Sequence, residues 1–418
     1  MREGSPSQEP VVEPTSGTHL VQTTRDRRPS EVFRKMSAGA PPRSHKMKDM
    51  AMIAVFLVAI TMPLIGLIFR LDAGMKLQEN RVLASMPELT LQRAALAAFP
   101  GKFETYFNDQ FGFRQRLIHW LSIAKVLGLG VSSSRDVILG RKGWIFYGAL
   151  DLEFYRSLQP LKPQQLEAWQ QLLESRRDWL AARGIPYLVV LAPNKSTIYP
   201  EFMPLAYNRV NPKTRLDQLM AHLKAHSTLS VIDLREPLLS AKSQEQVYYR
   251  TDSHWNNRGA YVGYAKIMEA LSTWIPKIMA APRSEFRDVT VWEPARDLGY
   301  MLGLEYYLPE EYIDLQPRKP RQARKLAETG DSGSPGRSVT PSRPNIVFEL
   351  PGTRLPRAVM FRDSFAEALM PLLAEHFRRI TFSWQYTLNK ELVEREQPDI
   401  VIQEMVERTL MGLPEWFR

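Results

Sequence analysis

The sequence predicts an α/β protein, a mainly parallel β-sheet flanked by helices, preceded by one N-terminal transmembrane helix. Two observations predict the sheet. Short apolar runs alternate with segments of helical period from residue 162 onward, and Gly or Pro bounds several of these runs. Such alternation is typical of a parallel sheet covered on both faces. A third observation, a stretch of twenty residues without a charge at 50–69, predicts the membrane helix.

The uncharged stretch reads MAMIAVFLVAITMPLIGLIF, and a helix of that length spans roughly 30 Å, the thickness of a bilayer core. Basic residues are more numerous before it than after it, which predicts a cytoplasmic N-terminus and an exported body. A cleaved signal peptide is the alternative, but the run is longer than a typical signal core and no small-x-small site follows. We therefore predict a disordered cytoplasmic tail at 1–49, an anchor at 50–70 and an exported domain at 71–418.

Charge is concentrated in two segments of the chain. Residues 1–49 carry +3 and residues 318–345 carry +5 of the formal +10, so the remainder is nearly neutral. This distribution argues against a nucleic-acid partner, which would need a dense basic stripe on the folded domain. The Ser-, Pro- and Arg-rich stretch at 317–345 predicts a flexible basic insertion. The absence of cysteine excludes a disulfide framework, cysteine-ligated zinc and thiol catalysis.

The elements of the sheet follow from their patterns. Apolar residues recur at helical spacing over 162–183, Gly184 ends this helix, and IPYLVVLAP then reads as a buried strand. The later predictions are, in chain order, a helix at 213–226, a strand LSVIDL, a helix capped by Asn256 or Asn257, a strand RAVMF, a helix FAEALMPLLAEHF, a strand RRITFSW, a helix LNKELVERE and a strand PDIVIQEM. In sheets of this class the chemistry lies beyond the carboxyl ends of the strands.

Polar residues occupy those strand ends and helix starts. Asn194 and Lys195 follow one strand, Ser364 follows another, and Asp252 and His254 precede the Asn-capped helix. A serine nucleophile requires an adjacent base, and the base requires an orienting carboxylate. In an extended segment Asp252 and His254 point to the same side, so the carboxylate can bind one ring nitrogen and leave the other for the serine. These residues therefore predict a Ser-His-Asp triad.

Two other interpretations of these residues remain open. The pair Asp363-Ser364 before a helix is most often an N-cap, and an Asp-x-His pair can ligate a metal. A hydrolytic metal site would need further ligands, and the pair His222 and His226 lacks the Glu of a zincin motif. We predict no metal.

The stretch RTDSHWNNRGAY, with VMFRDSF far downstream, resembles the SGNH hydrolase-like domain of the alginate O-acetyltransferase family (the AlgJ/AlgX type). Other stretches match in order: ENRVLASMPEL, FETYFNDQFGFR, GRKGWIFYG, LAPNKSTIYPE and PDIVIQEMVER. The resemblance covers roughly residues 72–418 apart from the basic insertion. The family's Asp-x-His-Trp motif precedes its serine motif, which permutes the usual SGNH order. Arg362 departs from the family pattern, in which glycine is common at that position.

This resemblance implies acetyl transfer without a cofactor. Ser364 would take the acetyl group, His254 would activate Ser364, and Asp252 would orient His254, while Trp255 would pack beneath their loop. The implied oxyanion and substrate contacts are the Ser364 N–H, Asn194, Lys195 and Arg362.

The resemblance also implies partners and a location. Family members work with a membrane-bound O-acyltransferase, which supplies the acetyl group, and the acceptor is an exported polysaccharide, alginate-like or another exopolysaccharide. The anchor would then cross a bacterial inner membrane once and leave the catalytic domain in the periplasm. Two other functions fit the same residues: a polysaccharide O-acetyl esterase with water as acceptor, and a non-catalytic polysaccharide-binding subunit of an export complex.

Overall fold

The computed structural model describes residues 43–69, 83–276, 278–326, 343–352 and 354–417. Its helices are α1 (Arg43–Ile68), α2 (Arg93–Gln110), α3 (Arg114–Ser122), α4 (Ala149–Arg156), α5 (Pro163–Ala181), α6 (Lys195–Ile198), α7 (Arg215–His226), α8 (Arg235–Lys242), α9 (Asn257–Leu271), α10 (Asp297–Met301), α11 (Met370–Leu373) and α12 (Lys390–Glu396). Its strands are β1 (Val137–Leu139), β2 (Ile145–Tyr147), β3 (Tyr187–Ala192), β4 (Ser230–Asp233), β5 (Phe286–Glu293), β6 (Glu310–Pro317), β7 (Arg324–Lys325), β8 (Ile346–Glu349), β9 (Arg357–Arg362), β10 (Arg379–Trp384) and β11 (Ile400–Val406). The chain divides into two compact units, one up to Ile65 and one from Gly66.

The described part of the first unit is nearly all of α1. Over Lys46–Gly66 this helix is long and apolar enough to cross a membrane, as the uncharged run predicts. Pro63 lies inside it, a position that membrane helices tolerate better than exposed ones. Most of the predicted tail at 1–49 lies outside the described residues, which begin at Arg43.

A seven-stranded sheet organises the second unit, in the order β4-β3-β11-β9-β10-β8-β7. The first five strands are parallel to their neighbours, whereas β8 runs antiparallel to β10 and β7 antiparallel to β8. The five parallel strands are those that the apolar runs predict, and each agrees with its predicted position to within about two residues. The predicted fold, a mainly parallel sheet flanked by helices, is confirmed.

Alternate side chains of the central strands enter two separate cores. In β3, Leu188 and Val190 pack in the core that includes α9, whereas Val189 and Leu191 pack in the core that includes α5, α7 and α12. A strand buried on both faces needs apolar residues at every position, which explains the continuous runs in the sequence.

One predicted helix is wrong in type. Residues 365–377 do not form a continuous α-helix: a 3₁₀ turn at Ser364–Ala368 precedes the four-residue α11, and a second 3₁₀ turn follows at Ala374–His376. The physical reason is Pro371, which has no N–H to donate inside a helix and is accommodated only in the first turn of a new one.

The segment expected to be a flexible insertion, 317–345, is ordered where the structure describes it. Arg324 and Lys325 form β7 at the edge of the main sheet. The backbone N–H groups of Gln322 and Ala323 each donate to the Glu375 carboxylate at 3.0 Å. Residues 327–342 of this segment lie outside the described residues.

A second sheet, β5 paired antiparallel with β6, is absent from the sequence prediction. Its buried Glu310 accepts the backbone N–H groups of Arg250 and Thr251 at 2.7 and 3.0 Å. Because these residues immediately precede Asp252, the small sheet fixes the loop that carries the candidate aspartate and histidine.

Candidate active site

The carboxyl ends of β3, β9 and β11 lie together at one edge of the parallel sheet, because these strands are direct neighbours. Asn194 and Lys195 follow β3, and Ser364 follows β9. Asp252 and His254 reach the same edge from the loop before α9, whose N-cap is Asn256, one of the two predicted caps.

His254 joins Ser364 to Asp252 in one hydrogen-bonded row. Its Nδ1 lies 2.7 Å from Oδ1 of Asp252, and its Nε2 lies 2.7 Å from Oγ of Ser364. The same Asp252 oxygen accepts the backbone N–H of His254 at 3.0 Å, so the two residues share a tight turn rather than an extended segment. Because an ionised carboxylate only accepts, Nδ1 carries the ring proton and Nε2 accepts from the serine hydroxyl.

The electrostatics of this pair favour a basic histidine. Burial, the largest single influence on each group, opposes both charges, but the hydrogen bond and attraction between the pair outweigh it. As a result the pKa of Asp252 lies below its ordinary value and the pKa of His254 lies above its own. An imidazolium at His254 is therefore stabilised where it would form during proton transfer.

Asp363, and not Ser364, caps the turn after β9. Its Oδ1 accepts the N–H of Phe365 at 2.8 Å, and its Oδ2 accepts the hydroxyl of Tyr386 and the N–H of Val406, both at 2.8 Å. The Ser364 side chain is consequently available to His254. In the part of the chain that the structure describes, the backbone N–H of Ser364 donates to no protein acceptor.

Trp255 connects the histidine loop to the serine turn. Its Nε1 donates to the carbonyl of Phe365 at 3.0 Å, and its ring meets the Phe365 ring edge-on at a centroid distance of 5.2 Å. The His254 ring lies 4.9 Å from the same phenyl ring. The buried Trp255 thus packs beneath the loop, where the sequence interpretation places it.

Lys195 occupies a different position from the expected substrate contact. Its buried Nζ donates to the carbonyl oxygens of Tyr249, Arg250 and Asp252 at 3.1, 3.0 and 2.6 Å. These three bonds use all three ammonium donors, so none is left for a substrate. Burial lowers the pKa of Lys195 to about 8. Its contacts hold the loop that carries Asp252.

Asn194 is fully buried, and its amide nitrogen has no hydrogen-bond partner among the described residues. Its Oδ1 accepts from Nη1 of Arg408 at 2.8 Å and its backbone N–H donates to Glu407 at 2.8 Å, whereas its Nδ2 has no partner among the described residues. Sequence reasoning missed Arg408, whose guanidinium lies 5.4 Å from the Phe365 ring centre. The rule that chemistry follows parallel strands could have found it, since it lies just past β11.

Arg362 does not join the hydrogen-bonded row of Asp252, His254 and Ser364, but lines a cavity beside Ser364. Its buried guanidinium stacks 4.4 Å above the Trp384 ring and donates to the carbonyl of Asp363 at 3.1 Å. The same Nη1 also forms an ion pair with Oε1 of Glu367 at 3.4 Å. These contacts explain how an arginine replaces the small residue expected before the Asp-Ser pair.

A second carboxylate, Asp297 at the start of α10, also lies beside His254. Its Oδ2 is 3.6 Å from Nδ1 of His254, and it accepts the backbone N–H of Ser253 at 2.7 Å and the Ser253 hydroxyl. Burial and the neighbouring charge of Asp252 raise the pKa of Asp297 to about 6. The sequence contains no signal for this contact, because α10 reaches the loop through tertiary packing, including the bond from the Gly299 N–H to the Thr251 carbonyl at 3.3 Å.

Ser364 lies in the walls of two cavities. The larger has a volume of about 440 Å³, and its walls are mainly aromatic and apolar, with the guanidinium groups of Arg362 and Arg408 among them. The smaller, of about 230 Å³, contains His254 and Asp252, together with Arg296, whose guanidinium lies 3.9 Å from the centre of the Tyr312 ring. The serine can thus be approached from two sides.

A divalent metal is the rival occupant of this site. Asp252, His254 and Asp297 each offer one ligand atom, and these atoms lie within 4.8 Å of one another. For Nδ1 of His254 to bind a metal, it would have to give up its proton and its bond to Asp252. Removal of metal by a chelator distinguishes the two arrangements.

Comparison with known proteins finds a family model that matches the part of the chain carrying Asp252 and His254, together with several relatives. The family with the description "SGNH hydrolase-like domain, acetyltransferase AlgX" matches residues 137–332. A probable alginate O-acetylase AlgJ from Pseudomonas fluorescens is 29% identical over 246 residues, which cover 57% of this chain and 59% of that relative. The probable alginate O-acetylase AlgJ from Azotobacter vinelandii is 26% identical over 322 residues, or 74% of this chain and 78% of that protein. The match to the first relative thus spans less than two thirds of its length.

Solved structures share the fold. The structure of Bacillus cereus PatB1 matches with a TM-score of 0.51 at 16% sequence identity, covering 68% of this chain and 100% of that chain.

Proposed function

We propose that this protein is an O-acetyltransferase that uses Ser364 as nucleophile and acts on an exported polysaccharide. Residues 137–332, which include Asp252 and His254, match the family model described as an SGNH hydrolase-like domain of the acetyltransferase AlgX, and this match supports the proposal. The observation that carries the proposal is the row Asp252–His254–Ser364, with 2.7 Å at both of its side-chain contacts. Two relatives are probable alginate O-acetylases, which favours an alginate-like acceptor.

In the first half-reaction, Nε2 of His254 removes the hydroxyl proton of Ser364 as Oγ attacks the carbonyl carbon of an acetyl donor. The tetrahedral intermediate collapses when the bond to the leaving group breaks. That leaving group takes the proton from His254, and Ser364 retains the acetyl group as an ester. Asp252 holds the imidazole in the required tautomer and stabilises its transient positive charge.

In the second half-reaction, His254 removes a proton from a sugar hydroxyl, whose oxygen attacks the acetyl-serine carbonyl. Collapse of this intermediate breaks the ester bond to Oγ, and His254 returns the proton to Ser364. The acetylated sugar leaves and the enzyme is restored.

We propose two donors for the negative oxygen of both intermediates. The backbone N–H of Ser364 and Nδ2 of Asn194 have no partner among the described residues. Donors that are fixed before the reaction stabilise an oxyanion without having to reorganise, and removing one such side-chain donor costs ~10²–10³ in turnover. We therefore assign Asn194 to the oxyanion hole, and Lys195 and Arg362 to support of the loop and wall.

An esterase is the second candidate, because water can reach the same serine. The His254 side chain retains 24% exposure, so the base is accessible from solvent. Water and a sugar hydroxyl would attack the acetyl-serine in the same way, and the acceptor bound beside Ser364 decides between hydrolysis and transfer.

The proposal also includes a membrane anchor and a membrane-bound source of acetyl groups. The helix α1 can cross a bilayer, and we propose that it anchors the enzyme in a bacterial inner membrane with residues 71–418 in the periplasm. A membrane-bound O-acyltransferase would then deliver the acetyl group to Ser364 beside the membrane. We further propose that residues 1–49 form the cytoplasmic tail.

Turnover measurements on single variants test the proposal. Ser364→Ala and His254→Ala should each reduce release of acetate from a soluble acetyl ester by orders of magnitude, and the double variant should be little worse than either single one. His226→Ala is the matched control on a distant helix and should retain wild-type turnover. Wild-type turnover by folded Ser364→Ala would overturn the mechanism. Adding an oligosaccharide acceptor then separates transferase from esterase by the fraction of acetyl groups that reach sugar.

A further inference from the structure

The helix α3 contacts the folded unit through a polar face and exposes an apolar face. One face meets the folded unit through polar contacts: Nδ1 of His119 lies 2.8 Å from the carbonyl of Gly303, and the buried Ser122 hydroxyl donates to Ser133 at 3.0 Å. The other face carries Leu117, Trp120 and Leu121, which are 46%, 64% and 53% exposed. Their spacing of three and four residues places them on one side of the helix. The apolar side therefore faces outward.

Exposed apolar side chains also lie on the elements just before and just after this helix in the chain. On α2, Phe103 and Phe107 lie one turn apart and are each 39% exposed. After α3, the exposed apolar side chains are Leu127, Leu129 and Val131. Large exposed apolar side chains that are grouped on a protein surface mark contact surfaces, whereas single scattered ones do not. We call the residues Phe103, Phe107, Leu117, Trp120 and Leu121 the apolar patch.

The net positive charge of the segment that carries the apolar patch favours an anionic membrane as its binding partner. Residues 93–131 contain five Lys or Arg and two Asp or Glu, a net charge of +3 beside the nearly neutral body. An outward apolar face with Trp, Phe and Leu, together with nearby basic residues, is the pattern of helices that lie in the interface of an anionic bilayer. A tryptophan ring is particularly suited to the level of the lipid headgroups.

Chain connectivity supports the same occupant. Only residues 69–92 separate the end of α1 from the start of α2. A short tether keeps the patch at high local concentration near any bilayer that α1 crosses, which a soluble partner protein would not share. From the outward apolar face, the net charge and the tether, we propose that the apolar patch lies in the headgroup region of the membrane in which α1 is anchored.

This inference rests on the anchoring that the proposed function includes. It adds that the catalytic unit is held against the bilayer at two places, the span and the patch. A surface that rests on the membrane restricts how the unit can turn, so the cleft at Ser364 would keep a fixed orientation towards a membrane-bound acetyl donor.

Spin labelling of the full chain tests the proposal. Because the sequence contains no cysteine, each engineered cysteine carries the only label. Leu121→Cys reports on the patch, Val58→Cys reports on the span, and Lys266→Cys on the exposed side of α9 is the aqueous control. Each nitroxide-labelled protein is reconstituted in nanodiscs of phosphatidylethanolamine and phosphatidylglycerol, and its collisions with oxygen and with a water-soluble nickel chelate are compared. Unchanged acetyl-ester turnover shows that each variant is folded.

We expect the labels at 58 and 121 to collide mainly with oxygen, and the label at 266 mainly with nickel. An aqueous label at 121 together with an immersed label at 58 would overturn the patch proposal and leave the anchor intact. A label at 121 that is shielded from both reagents would also overturn it, because it would lie against protein, a partner or a second copy. An aqueous label at 58 would instead refute the anchor itself, and the patch proposal with it.

Discussion

The neighbourhood of Asp252 and Asp297 leads to a quantitative prediction about the variant Asp252→Asn. Replacing the orienting aspartate of a Ser-His-Asp triad by asparagine can cost ~10⁴ in turnover. Here Nδ1 of His254 lies 2.7 Å from Asp252 and 3.6 Å from Asp297. At an effective dielectric of ~20, unit charges at these distances attract by ~6 and ~5 kcal/mol, so Asp297 alone keeps nearly half of the combined attraction.

We therefore expect Asp252→Asn to lose only ~10²–10³ in turnover and Asp297→Asn to lose less than ~10-fold. The double variant should lose the full ~10⁴ in turnover. This loss is about tenfold greater than the product of the two single losses, which corresponds to a coupling of about 1.4 kcal/mol. The pH profile should change as well. His254 acts as a base only when neutral, so activity is lost as the pH falls through its raised pKa. Removing either carboxylate lowers that pKa and moves the acidic limb to lower pH.

The assay is hydrolysis of a chromogenic acetyl ester, with kcat/KM measured from about pH 5 to about pH 9 so that the limb reports the free enzyme. Asp288→Asn, which removes the carboxylate of an ion pair with Arg258 that lies outside the hydrogen-bonded row, is the matched control. The reasoning would be refuted if Asp252→Asn alone lost ~10⁴ while Asp297→Asn kept the wild-type rate and pH profile.

Three further predictions follow from the contacts of the site. Lys195→Met should lower the free energy of unfolding by about 2–4 kcal/mol, because three carbonyls lose a charged donor, whereas the exposed Lys266→Met should change it little in the same urea titration. Trp255→Phe should cost about 1–2 kcal/mol and reduce turnover severalfold, since the serine turn loses its bond to the indole; an unchanged denaturation midpoint would contradict this. Treatment with a metal chelator should leave acetyl-ester turnover unchanged, and inactivation that added metal reverses would favour the rival metal site.

Much of the fold follows from the sequence because the parallel strands are buried on both faces. The run YLVVLA at β3 must be apolar at every position to satisfy two cores, and such a run is visible without a structure. The β5–β6 sheet gave no such signal, because its first strand is largely exposed and its side chains are mixed in polarity. The helix expected at 365–377 failed because Pro371 interrupts an otherwise helical pattern.

The site, like the fold, could be predicted only in part from the sequence. The two-residue spacing of Asp252 and His254 and the strand end at Ser364 follow from local sequence, and the structure brings these three side chains together. The position of Lys195 did not follow, because the loop carbonyls that it binds are distant in the chain. Asp297 and Arg408 were missed for a related reason: each reaches the site only through tertiary packing of an element that carries no motif.

The most direct test of the central claim is to trap the acetyl group on the enzyme. The purified protein is mixed with an excess of an acetyl ester, quenched in acid within the first turnover, digested and examined by mass spectrometry. We predict a peptide heavier by one acetyl group, with the modification on Ser364, in the wild-type protein and not in Ser364→Ala or His254→Ala. An active protein that releases acetate without ever acetylating Ser364, or that acetylates another residue on the path to product, would contradict the account.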